Sequence, residues 1–234
     1  MNHVALKLFL TVYLLQHVPG VARASGPFHG VGAIRHAHAI LDSQLTVFTC
    51  LCRMIILLIG PMKVGKSTVG RLLAARLGLP RHPLDKNRWK YYQEIGFDEG
   101  HMRSLAESGS LDAALNYCKP FEVHAVERHL AEIQNCVADF GAGYSVQDDP
   151  ILHERVHRAL SPHPHVVLLL PSPDSDESVV YLNDRVDENL RALNEHYVRH
   201  PANRSLAKAV VYTFAKTPEE TCADILHTLH LNLP

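Results

Sequence analysis

The chain has 234 residues, 47% of them hydrophobic and 20% charged, with a formal net charge of −1. This length holds one sizeable α/β domain. The near-neutral charge argues against the basic field of a nucleic-acid-binding surface, and five scattered cysteines argue against a disulfide scaffold.

Residues 1–53 read differently from the rest. They carry no Asp or Glu before Asp42, an apolar run at 8–15 and an A-x-A-like site at Ala22/Ala24. The run has signal-peptide length and is too short for a membrane span. A secretory signal, a transit peptide or sequence upstream of a start at Met54 all fit, and in each case 1–53 is expected to be a poorly ordered extension. The Cys50-Leu-Cys52 pair lacks a second pair at metal-site spacing and reads as plain thiols. His36/His38 and His163/His165 read as surface histidines.

From Met54 the elements alternate. Residues 53–60 form a short apolar run ending at glycine, a buried strand. Residues 66–78 are helical, with Val69, Leu72, Leu73 and Leu77 on the buried face and Gly78 as the stop. A short second strand is expected over 79–85, ending in Asp85. Helical patterns follow at 88–97 and 100–109, then two helical pieces over 110–133 divided at Lys119-Pro120. A strand leads from Asn135 into the glycines at 141 and 143. A helix at 150–160 opens on proline. A central strand starts at His165, a largely helical charged stretch covers 175–200, and a strand runs over 207–213. The closing helix starts with a Thr217-x-x-Glu220 capping box and Pro218. Strands alternating with helices imply a parallel sheet covered on both faces.

Residues 60–67, Gly60-Pro61-Met62-Lys63-Val64-Gly65-Lys66-Ser67, fit G-x-x-x-x-G-K-[ST] between a strand and a helix. Glycines let the backbone approach phosphate and turn N–H groups inward, and the helix N-terminus adds its dipole. Lys66 is placed to reach the β- and γ-phosphates of ATP, and the Ser67 hydroxyl to hold Mg²⁺. Asp85 is a candidate metal-shell carboxylate, against the plainer reading of a turn or cap. Asp139, Gly141 and Gly143 follow a strand's carboxyl end, where α/β sheets bind ligands, and are expected to meet the acceptor.

From Met54 on, about the last three-quarters of the chain resembles the shikimate kinase family, within the nucleoside-monophosphate-kinase-like P-loop proteins. The likeness is strongest at the opening strand, loop and helix, and at the close, an R-x-P helix end, a strand ending in Thr and a T-P-E-E helix. It implies a three-layer P-loop kinase sandwich around a parallel sheet of about five strands, a mobile lid, and transfer of the ATP γ-phosphoryl to a hydroxyl. By the resemblance, Gly60, Gly65, Lys66, Ser67 and Thr68 match the phosphate loop. Asp85 matches the first acid of an L-D-x-D motif near Mg²⁺. Gly141 and Gly143 match the acceptor turn, where Ala142 does not. Arg199 matches the arginine that pairs with the acceptor carboxylate, and Arg185 the lid arginine. The second acid of L-D-x-D is Asn87 here, a position that contacts the acceptor hydroxyl in the family, and asparagine cannot act as a base. A second acceptor arginine is missing near Glu122, where Lys119 is the nearby cation.

The expectation is therefore a domain over 54–234 that acts as a Mg²⁺- and ATP-dependent small-molecule kinase. Its catalytic residues are Lys66, Asp85 and Arg185, its nucleotide loop spans 60–68, and its acceptor is a small, anionic metabolite. Another nucleotide or sugar-acid kinase, or a non-catalytic ATP-binding module, remains open. A monomer is expected, in the cytoplasm unless the first 53 residues direct export, with no nucleic-acid or membrane partner.

Overall fold

The computed structural model describes residues 54–108 and 111–231. The expected 1–53 extension, with Cys50, Cys52 and the His36/His38 pair, lies outside the described residues.

Strands β1 (Ile55–Ile59), β2 (Cys136–Asp139), β3 (His165–Leu170) and β4 (Ala209–Tyr212) form a four-stranded sheet in the order β2-β1-β3-β4. All pairs are parallel, with Leu58 opposite Asp139 on one side and Val167 on the other. Parallel strands need crossovers. Helices α1 (Lys66–Leu77), α2 (Leu84–Glu94), α3 (Glu99–Glu107), α4 (Leu111–Glu132), α5 (Pro150–Leu160), α6 (Ser175–Asn183), α7 (Arg191–Arg199) and α8 (Pro201–Leu206) supply them, and α9 (Pro218–Thr228) follows β4.

Strand residues alternate between faces. Ile55, Leu57 and Ile59 enter one core with Leu84, Tyr91, Phe121 and Val156 from α2, α4 and α5. Ile56 and Leu58 enter the other with Val69, Leu73, Val179 and Ile225 from α1, α6 and α9. The result is a three-layer sandwich with every β1 residue buried. Gly78 ends α1 in the left-handed region, and the Thr217–Glu220 capping box forms as expected.

Two expectations change. The second strand shrinks to one bridge, Arg81 beside Val137, made by the His82 N–H to Val137 O and the Val137 N–H to Pro80 O. Pro80 and Pro83 bring no N–H to extend it. The chain then turns into α2 from Leu84, so Asp85 sits in a helical first turn instead of at a strand end. Second, α4 passes through Pro120 without a break. An internal proline costs about 3 kcal/mol, and burial of Phe121, Val123, Ala125, Val126 and Leu130 offsets it. The stretch 175–200 is largely helical as expected, as α6, a 3₁₀ turn at Glu188–Leu190 and α7. Among the described residues, no helix is long and apolar enough to cross a membrane.

Candidate active site

The phosphate loop leaves the carboxyl end of β1. Gly60 has φ +136°, and a Cβ there would meet Leu169 O at 2.4 Å, so only glycine fits this turn. Gly65, at φ +102°, starts α1. Lys66 is buried, and its Nζ donates to Gly60 O and Pro61 O at 2.7 Å each. Burial pulls its pKa down to about 8, against the opposing pull of the Asp85 and Asp139 charges. The first turn of α1 points its N–H groups at the same space, as an anion site requires.

The loop forms one wall of a cleft of 430 Å³ lined by Met62, Lys66, Ser67, Asp85, Phe140 and Gly141, among others. Asp85 stands on the opposite wall, with its side chain 53% exposed. A Cβ at Gly141 would come within 2.9 Å of Asp85 Oδ1, so the glycine lets this carboxylate lie against the turn after β2.

Asp139, expected to meet the acceptor, is not among the residues that line this cleft. On β2, Cys136 and Ala138 belong to the first core and Val137 to the second. Asp139 shares the Val137 face and so turns toward α1. There it accepts from Arg81 Nε at 2.7 Å, Arg81 Nη2 at 2.8 Å and Ser67 Oγ at 2.8 Å. Gly70 makes room, because a Cβ there would sit 3.4 Å from Asp139 Oδ1 and 3.5 Å from Arg81 Nε. The Ser67 hydroxyl and the Asp85 carboxylate both line the cleft and are oxygen donors, which suit a hard divalent cation such as Mg²⁺.

The remaining expected residues lie apart from this cleft. Gly143 belongs to a neighbouring corner: its carbonyl accepts from Lys119 Nζ at 3.4 Å, and a Cβ there would sit 3.1 Å from the Tyr197 hydroxyl. Lys119 also holds Glu122 and Val146 O. Arg185 donates to Tyr181 O at 2.6 Å and stacks 3.6 Å over the Tyr181 ring. Arg199 is held by Glu195 at 2.8 Å and Asp176 at 2.7 Å. Asn87 is exposed. Positions 85 and 87 of a helix lie about 200° apart, so Asn87 points away from Asp85.

Two participants were not anticipated from the sequence. Asn194, buried on α7, accepts from the Met62 N–H at 2.7 Å and clamps the phosphate loop from 132 residues away. Arg81 is the other, and the alternation of β2 was the one signal that pointed Asp139 toward it. Asp148, His196 and His200 cluster with donor atoms within 4.8 Å. The Ala202 N–H donates to His200 Nδ1, so Nε2 carries the proton and donates to Asp148, which makes this a hydrogen-bonded group.

No protein-family model matches the chain. A shikimate kinase of Streptomyces coelicolor is 32% identical over 188 residues, covering 76% of this chain and 96% of its own length. One from Salinispora arenicola is 30% identical over 178 residues, covering 72% and 93%. The solved shikimate kinase from Acinetobacter baumannii in complex with shikimate has a TM-score of 0.53 at 18% identity, covering 78% of this chain and 96% of that one, which shows the shared fold. A phosphate loop at β1, a parallel sheet wrapped by helices and relatives spanning nearly their whole length thus converge: the chain belongs to the shikimate kinase family and is an ATP-dependent small-molecule kinase, a phosphotransferase with an alcohol acceptor.

Proposed function

We propose that the protein transfers the ATP γ-phosphoryl, with Mg²⁺, to a hydroxyl of a small hydroxy acid, with shikimate the first candidate. The observation that carries this reading is the pairing, in one cleft, of the buried Lys66 ammonium with the Asp85 carboxylate held against Gly141.

Lys66 and the first-turn N–H groups of α1 would hold the nucleotide phosphates, and Ser67 and Asp85 would hold Mg²⁺. When bound, the metal supplies neutralisation of the charge on the transferring group. Lys66 is already desolvated, so its charge acts there at a low local dielectric. Asp85, within reach of the Gly141 turn, would orient the acceptor hydroxyl and accept its proton. Asn87 takes no part, and positioning with charge neutralisation accounts for most of the rate.

The test is ADP release by the full chain with Mg-ATP, with and without shikimate or gluconate. Stimulation by either acid supports the reading. Stimulation by nucleosides or neutral sugars alone would replace the hydroxy-acid acceptor with another one.

A further inference from the structure

The cations of the domain differ in what they hold. Lys66 is engaged by two loop carbonyls, Arg81 by Asp139, and Lys119 by Glu122 and two carbonyls. Arg185 and Arg199 are engaged on α6 and α7. Arg88 is different. Its Nε is buried and has no hydrogen-bond partner. Its Nη1 lies 3.8 Å from Asp85 Oδ1, beyond hydrogen-bond range, and its guanidinium stacks 4.6 Å from the Trp89 ring centre.

The helix explains this position. Asp85 and Arg88 are one turn apart on α2 and share a face, and Tyr92 continues it a turn later. That face looks at the turn after β2, because Asp85 lies against Gly141. Asn87 would share the Asp85 face only if 85–87 were extended. By starting α2 at Leu84, the fold turns Asn87 away from Asp85 and puts Arg88 3.8 Å from that cleft-lining carboxylate.

We propose that Arg88 is the acceptor's anion-binding residue, so that the preferred acceptor carries a carboxylate about one helical turn from the hydroxyl presented to Asp85. This rests on the hydroxy-acid reading above. A guanidinium has five donors in a fixed fork that matches a carboxylate in two parallel bonds. Stacking on Trp89 fixes the plane of the fork before binding. The neighbouring Asp85 sets a limit, since a carboxylate too close to it would be repelled.

Trp89 is the single tryptophan of the chain and is 44% exposed, so its fluorescence reports directly on Arg88. The experiment titrates the full chain with shikimate and with shikimate carboxamide, reading Trp89 emission and, with Mg-ATP, ADP release. Shikimate is expected to change the emission and the carboxamide to leave it unchanged. Arg88→Ala is expected to raise the shikimate KM about 30-fold, with a much smaller change in the ATP KM. It should also erase the preference for shikimate over its carboxamide. Arg88→Lys, which keeps a point charge without the fork, should fall between.

An unchanged shikimate KM in Arg88→Ala, with wild-type turnover intact, overturns the Arg88 assignment and leaves the hydroxy-acid acceptor standing. Equal wild-type use of acid and carboxamide removes the anionic acceptor and Arg88's role together. Absence of both turnover and an emission change with shikimate and gluconate does the same.

Discussion

Arg81 and Asp139, 58 residues apart in the chain, meet in a two-pronged ion pair at 2.7 and 2.8 Å, and Ser67 donates to the same carboxylate. The pair links the bridge segment, the end of β2 and the first turn of α1. It also gives a carboxylate with 4% side-chain exposure its partners behind the phosphate loop. Removing one partner of a buried pair leaves an uncompensated charge.

Arg81→Ala should therefore destabilise the fold by about 3 kcal/mol and lower the melting temperature by roughly 6–12 °C. Arg81→Ala combined with Asp139→Ala should recover part of that loss, because no charge is then stranded. Thermal unfolding of the single and double variants measures both. A single variant that melts with the wild type would mean that the pair contributes nothing to stability.

Lys66 gives a pH dependence of definite sign. Its folded pKa is lowered from 10.5 to about 8 by burial. Between those values the unfolded chain binds the extra proton, so this residue's contribution to stability rises with pH from about 8 to 10.5 and is lost as pH falls through 8. Activity runs the other way, since phosphate needs the ammonium form. The kcat/KM for ATP should fall about tenfold per pH unit above 8, because that ratio reports the free enzyme. Lys66→Ala should cost at least about 10²-fold in kcat with folding retained. A flat alkaline profile in the wild type would remove Lys66 from phosphate binding.

Asp85 and Asn87 make opposite predictions. Asp85→Asn removes the carboxylate facing Gly141 and should lower kcat about 10²-fold. Asn87→Asp restores the family's second acid but on the exposed side of α2, where an added charge is worth little, so kcat should change less than about twofold. Steady-state kinetics with the best acceptor measures both, and a large gain from Asn87→Asp would place residue 87 in the cleft during turnover.

Local order made much of this protein legible. The buried run at 55–59, the glycines at 60 and 65 and the helix after them are contiguous, so strand, loop and dipole follow from neighbours in sequence. Gly78 and the Thr217–Glu220 box ended and began helices for the same reason. Pro120 misled because burial of the flanking helix faces on the core outweighs a single lost hydrogen bond.

By itself, then, the sequence determined the phosphate loop and the alternation of strands and helices, because each rests on residues adjacent in the chain or one turn apart; the reaction class came through the family resemblance. Tertiary structure alone decided which way the side chains turn. Asp139 meets Arg81, Asn194 clamps Met62, and Arg199 is drawn to Asp176 on α6, 23 residues back. It also made residues 84–94 helical from their start, which puts Arg88 instead of Asn87 on the face of Asp85. These outcomes depend on which distant groups offer a partner once the layers have packed, and spacing along the chain carries no record of that.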